Sequence, residues 1–220
     1  MFHQLRTRAK LALAPLIYRY PPIGLQPSEL GVYLYELLTR ADIPGDVAEV
    51  GCSLGGTACV ASALVRRYSP QKTYTCFDTF SGFVPAQMEK DVRRGTPKQA
   101  AETYSANSMQ LVRRILDRHG GQSVKLVQGD IAKVAEETLS RAYSVVLLDV
   151  DLDEPTYAGL KIFWPRLSPG GVIVIDDCRD DAKQRWLARL GFERFCREEG
   201  LPFTVRYGFG VLEKPAAASA

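Results

Sequence analysis

Acidic residues gather where the apolar runs of this 220-residue chain end. Val145–Leu148 runs into Asp149-Val-Asp151, and Gly171–Ile175 runs into Asp176-Asp177. Three shorter runs end around Glu49, Asp78 and Asp130. One aspartate after a strand is commonly the cap of the next helix. That explains poorly a pair two residues apart and a second, adjacent pair, each after a run apolar enough to be buried on both faces. Like charges on one edge repel and need compensation, and a divalent cation is the simplest compensator. Carboxylates without histidine or cysteine suit Mg²⁺, which takes oxygen ligands and keeps positions open for substrate.

A second chemical signal is the glycine segment Gly51-Cys-Ser-Leu-Gly-Gly56. Glycines there let the backbone approach a ligand and turn sharply into a helix. The segment is neither Gly-x-Gly-x-x-Gly nor a Walker loop, and alone it is equally a tight strand-to-helix turn. Asp78 adds weight, because an acidic residue roughly 20–30 positions after such a loop can accept hydrogen bonds from ribose hydroxyls. Together they fit an adenosine-containing cofactor, with NAD the weaker alternative.

These residues need a frame. Pro27-Ser28 opens a helix with Ser28 as cap. After it the chain alternates: strands at 47–50, 73–77, 124–128, 144–148 and 171–175, helices at 56–68, 108–118, 132–139, 155–167 and 181–199. A hairpin of 203–207 and 210–214 around a glycine turn closes the chain. Alternation predicts an α/β fold: a doubly wound, seven-stranded, mostly parallel sheet with an antiparallel C-terminal hairpin and N-terminal helices. Ligands of such sheets bind beyond the carboxyl ends of the strands, where the acids lie. Residues 1–24 are read as an amphipathic helical extension and 25–215 as one domain. Residues 1–20 carry Arg6, Arg8, Lys10 and Arg19 among leucines, which suits packing on the domain or a second subunit, or contact with a membrane surface. The stretch 81–106 has no clear period, and so long a connection is usually functional.

Composition sets limits. A net charge of +3 is too small to indicate nucleic acid, and no apolar run approaches the ~20 residues that span a bilayer. Five cysteines, none in Cys-x-x-Cys, and two histidines make structural zinc improbable and point to reduced thiols in a cytoplasm. His119 reads as a helix C-terminal cap, Trp164 and Trp186 as core residues in helices, Cys52 as small-residue packing, and Arg93-Arg94 and Arg113-Arg114 as solvated faces.

Five blocks carry a resemblance: Asp46-Val-Ala-Glu-Val-Gly51, Gly55-Gly-Thr57, Phe77-Asp-Thr-Phe-Ser-Gly-Phe83, Leu148-Asp-Val-Asp-Leu-Asp-Glu-Pro-Thr156 and Leu167-Ser-Pro-Gly-Gly-Val-Ile-Val-Ile-Asp-Asp177. Over roughly residues 25–215 the chain resembles class I S-adenosylmethionine-dependent methyltransferases, and more narrowly the macrocin/mycinamicin/novobiocin sugar O-methyltransferases. The resemblance implies a Rossmann-like methyltransferase fold and an Mg²⁺-dependent O-methyltransferase acting on a sugar or other vicinal diol of a natural product, glycolipid or polysaccharide.

It also implies roles. Gly51, Ser53, Gly55, Gly56 and Thr57 would hold the methionine end of the cofactor, with Glu49 beneath. Asp78 and Thr79 would lie at the ribose, and Phe80 beside the adenosine. Gly129, Asp130 and Ile131 would border adenine. Asp149, Asp176 and Asp177 would ligate Mg²⁺, and Asp149 or Asp151 would take the hydroxyl proton. Two positions depart from the family pattern: Asp153 and Cys178 stand where tyrosine is common. Loop 83–106 is expected to be the lid, and a homodimer fits the resemblance. The competing readings are a metal-independent methyltransferase acting on another nucleophile and a non-enzymatic scaffold that kept the fold.

Overall fold

The computed structural model describes residues 19–180 and 185–216, with Ala9 and Leu13. The expected helix over 1–20 therefore lies almost wholly outside the described residues. The elements run α1 (Pro27–Thr39), β1 (Asp46–Val50), α2 (Gly56–Tyr68), β2 (Tyr74–Asp78), α3 (Pro85–Arg93), α4 (Met109–Arg118), β3 (Lys125–Gln128), β4 (Tyr143–Leu148), α5 (Asp153–Arg166), β5 (Leu167–Ile175), α6 (Ala188–Glu199), β6 (Val205–Arg206) and β7 (Phe209–Glu213). Single 3₁₀ turns lie at Lys98–Glu102, Ile131–Lys133 and Glu136–Thr138.

The seven strands form one sheet in the order β3-β2-β1-β4-β5-β7-β6. Strands β1 to β5 pair in parallel, and β7 runs antiparallel to β5 and β6. The expected doubly wound sheet with its closing hairpin is present. The order reverses between β1 and β4, which opens a crevice at their carboxyl ends.

Successive strand residues point to opposite faces, and both faces are covered. Val145 and Leu147 pack with Tyr33 and Leu37 of α1, Ala58 and Val65 of α2, and Val112 and Leu116 of α4. Val146 and Leu148 pack with Leu160 and Phe163 of α5 and Phe192 and Phe195 of α6. This double burial is why β4 and β5 read as unbroken apolar runs.

Four local expectations are corrected. Helix α1 starts two residues earlier than a Ser28 cap implies: Gln26 is the cap, its N–H donates to Glu29, and Pro27 occupies the first helical position. Residues 132–139 form two separate 3₁₀ turns instead of a helix. Among the described residues, the helix expected over 181–199 begins only at Ala188, because the Leu187 and Ala188 N–H groups are drawn to the Asp151 carbonyl, each at 2.9 Å. Finally, 81–106 holds α3 and a 3₁₀ turn. The cysteines are all buried and free. His119 caps α4 as expected. No described helix is long and apolar enough to cross a membrane.

Candidate active site at the carboxyl edge of the sheet

The crest of β1 sets the site. Gly51 donates to the Phe77 carbonyl at 2.8 Å with φ of 84°, and a Cβ there would lie 1.8 Å from the Asp149 carbonyl oxygen. Only glycine lets β1 and β4 approach this closely at their ends. The loop then curls onto Asp78. One Asp78 oxygen accepts from the Cys52 and Ser53 N–H groups at 2.9 and 3.1 Å, the other from Phe80 N–H at 2.7 Å. The expected ribose partner is thus also the brace of the glycine loop. Burial nevertheless pushes its carboxyl above the usual range.

A cleft of about 700 Å³, open to solvent, lies above these ends. Of the residues expected at a site, Gly51, Ser53, Asp78, Thr79, Gly129, Asp130, Ile131, Asp149 and Asp151 line it. Glu49, Gly55, Gly56, Thr57, Phe80, Asp176 and Asp177 do not. Gly56 begins α2 against the Pro22 carbonyl, and Phe80 is buried in the core. Glu49 is buried below the loop, accepts from the Tyr74 hydroxyl, and is held near pH-neutral titration: burial pushes its carboxyl up to about 8. The Tyr33 hydroxyl meets that of Tyr74 at 2.9 Å, so a chain of three buried polar groups runs from α1 to β1.

Four carboxyl groups meet at one side of the cleft. Oxygens of Asp149, Asp151 and Asp177 all lie within 4.8 Å of one another. Asp176 adjoins them, with Glu29 and Arg179 in its field. Burial first, then mutual repulsion, raises Asp149, Asp151 and Asp176, the last to about 7. Asp151 also shares a hydrogen bond with Asp177. Among the described residues no ion pair reaches Asp149, Asp151 or Asp176. The expected ligand set Asp149, Asp176 and Asp177 therefore shares two members with the closest triad, which has Asp151 as its third.

The backbone here is strained. Ser53, Phe80, Tyr104, Asp151 and Asp177 all have positive φ, between 47° and 67°. Such conformations cost of order 1–3 kcal/mol each and persist where surrounding structure imposes them. At Asp151 the imposing groups are the two N–H donors at the start of α6.

The sequence reading expected a lid over 83–106 but named none of its residues, nor Asn107, as site residues. Phe83, Val84, Gln87, Tyr104 and Asn107 all line the cleft. Phe83 stacks edge-on to Tyr104 and tilts against Trp186, with centroids 5.6 and 5.4 Å apart. The fields of Asp151, Asp149 and Asp177, after burial, raise the Tyr104 phenol. Asn107 donates to the Ser53 carbonyl at 2.7 Å, tying the lid to the glycine loop. Pro85 at the first helical position was the one sequence signal for α3. Trp186 is buried, in this lid cluster and ahead of α6 instead of within it, whereas Trp164 is half-buried. The arginines read as solvated are mixed: Arg94 pairs with buried Asp153, and Arg113 donates to the Val124 carbonyl at 2.5 Å.

Comparison with known proteins agrees with this geometry. The family profile of macrocin O-methyltransferases (TylF) matches residues 32–198. The 8-demethyl-8-(2,3-dimethoxy-alpha-L-rhamnosyl)-tetracenomycin-C 4'-O-methyltransferase of Streptomyces olivaceus is 28% identical over 207 residues, covering 90% of this chain and 76% of that protein. The calicheamicin methyltransferase CalS11 superposes with a TM-score of 0.67 at 22% identity, over 96% of this chain and 92% of its own. An O-methyltransferase from Bacillus cereus, solved in complex with SAH, gives 0.54 at 15% identity, over 96% and 88%. With the profile covering most of its length, this chain belongs to the macrocin O-methyltransferase (TylF) family.

Proposed function

We propose that the protein transfers a methyl group from S-adenosylmethionine to a hydroxyl of a sugar, or another vicinal diol, in a glycosylated natural product. The observation that carries this reading is the placement of Asp149 and Asp151 both on the cleft at the carboxyl edge and within the carboxylate cluster. The SAH bound by the Bacillus cereus neighbour and the rhamnosyl substrate in the name of the Streptomyces olivaceus relative support donor and acceptor class.

The cluster fits Mg²⁺ by its donor chemistry. Its members are oxygen donors only: Asp149, Asp151 and Asp177 lie within one cation's reach, Asp176 adjoins them, and burial first, then mutual repulsion, raises Asp149. Asp149, Asp176 and Asp177 would hold the ion. When bound, S-adenosylmethionine supplies an electrophilic methyl group and Mg²⁺ lowers the pKa of a coordinated hydroxyl. The chain's own part is position and proton transfer. Asp151 faces the cleft on a backbone fixed by α6, so it takes the hydroxyl proton as the oxygen attacks. The Asp78-braced loop fixes the donor end, and Phe83 and Tyr104 wall the acceptor side against water.

The test is transfer of labelled methyl from S-adenosylmethionine to TDP-rhamnose and to a panel of rhamnosylated natural products. Transfer should vanish in EDTA, return with Mg²⁺ and fall at least 100-fold in Asp151→Asn. Persistent transfer in EDTA contradicts the metal assignment, and no transfer to any diol contradicts the acceptor class.

A further inference from the structure

Helix α3 reaches Asp130, where the resemblance would place adenine, through one side chain. Gln87 is 8% exposed, and its amide nitrogen donates to both oxygens of Asp130, at 3.1 and 3.2 Å. The amide orientation is fixed chemically, since an ionised carboxylate only accepts. Asp130 also takes the Ala132 N–H at 3.0 Å, capping the 3₁₀ turn that carries Ile131. Gln87, Asp130, Gly129, Ile131, Val84 and Pro155 all line the cleft.

The helix behind Gln87 is anchored. Asp91, 1% exposed, accepts the Asp153 N–H at 3.1 Å. Lys90 pairs with Glu154 at 2.5 Å, and Met88 packs with Leu152 and Trp186. Gln87 is therefore delivered to Asp130 by a fixed element, at the cost of burying its amide.

The chemistry of the pair is one-sided. Two N–H donors hold the Asp130 carboxylate from the protein side, and its remaining capacity is for accepting only. A 6-aminopurine offers an N–H donor to such a group. A 6-oxopurine offers an acceptor at that position, which would face carboxylate lone pairs unpaired, and its nearest donor, N1–H, lies one ring position away. Sites built on this kind of polar complementarity reject the mismatched analogue strongly, whereas apolar pockets do not.

We propose that Gln87 is a specificity-determining positioning residue for the cofactor base: it fixes Asp130 so that the cleft admits a 6-aminopurine and excludes a 6-oxopurine. The inference rests on the reading of the cleft as an S-adenosylmethionine site. It adds that base selection depends on the lid.

The experiment is calorimetric titration of the full-length protein with S-adenosylhomocysteine and with its deaminated analogue, S-inosylhomocysteine. Variants are Gln87→Leu and, should that variant fold poorly, the volume-matched Gln87→Met. Wild type should prefer the amino compound by about 30-fold or more, the scale set by leaving one buried polar group unpaired. Either variant should bind S-adenosylhomocysteine about tenfold more weakly, bind the inosyl analogue as wild type does, and so shrink the ratio to about threefold. An equal loss for both ligands would mark Gln87 as a packing residue and overturn the proposal, as would unchanged binding of both. If wild type binds neither ligand, the cofactor reading of the cleft fails, and this inference falls with it.

Discussion

Arg94, at the end of lid helix α3, donates to one carboxylate oxygen of Asp153 in the first turn of α5, while Arg194 of α6 donates to the other at 3.0 Å. Asp153 is one of the two positions read from the sequence as departing from the pattern of the family it resembles. It is buried and does not line the cleft. Its role is a brace among the lid, α5 and α6, two residues from Asp151. Gly191 lets α6 come this close, since a Cβ there would meet the Asp153 carbonyl oxygen at 2.3 Å. Replacing Asp153 by alanine strands two cations. Both guanidinium groups reach solvent, with Arg94 48% and Arg194 35% exposed, so the loss is well below that of a fully buried pair. Asp153→Ala should cost about 2 kcal/mol in urea unfolding and raise the KM for donor and acceptor. Arg94→Ala should raise KM with under about 1 kcal/mol of destabilisation.

Stability should depend on pH through Glu49. Its carboxyl is raised in the folded chain, to about 8, by burial that favours the neutral form. Between its unfolded value of about 4.5 and the folded value, the folded chain binds the extra proton. Stability contributed by that proton is present at pH 4.5 and is lost as pH rises to 8. Wild type should therefore lose melting temperature relative to Glu49→Gln as pH goes from 5 to 8.5. Parallel melting curves across that range would contradict the assignment.

Mg²⁺ should reverse part of this loss. Burial and mutual repulsion raise the carboxyls of Asp149, Asp151 and Asp176, so protons and a cation compete for their oxygens. At pH 8, Mg²⁺ at 100 times its dissociation constant should add about 2.7 kcal/mol of stability, read as a higher melting temperature. Asp177→Ala should abolish the shift. At pH 5.5 the shift should shrink, because protons compete for the same oxygens.

The loop crest offers a steric test. Gly51→Ala would drive a Cβ into the Asp149 carbonyl oxygen, 1.8 Å away, at a backbone angle that disfavours side chains. It should cost at least about 3 kcal/mol and abolish cofactor binding. Gly24→Ala, with nothing within 4 Å of the added carbon, should unfold like wild type.

The sheet and its acidic edge were legible because burial on both faces writes unbroken apolar runs, and the aspartates follow them directly. The helix within 83–106, the segment expected to be the lid, was not, because its burial is tertiary. Gln87 and Asp91 are polar residues made internal by Asp130 and by the Asp153 N–H, partners distant in sequence. Helix α6 was read too long because apolar spacing continues upstream of Ala188, while the backbone there serves the Asp151 carbonyl. The 132–139 segment has apolar Val134 and Leu139 packed on the core, a spacing that also suits a helix, yet it folds as two turns. Loop glycines and Asp78 were found, but the double use of Asp78 as loop brace depends on the curl of Cys52 and Ser53, which spacing alone does not encode.

Calorimetric titration of S-adenosylhomocysteine and then Mg²⁺ into wild type, Asp78→Ala and Asp177→Ala tests the central claim most directly. The account predicts one cofactor site lost in Asp78→Ala, and one cation site lost in Asp177→Ala with cofactor binding retained. Absence of S-adenosylhomocysteine binding to wild type would contradict it.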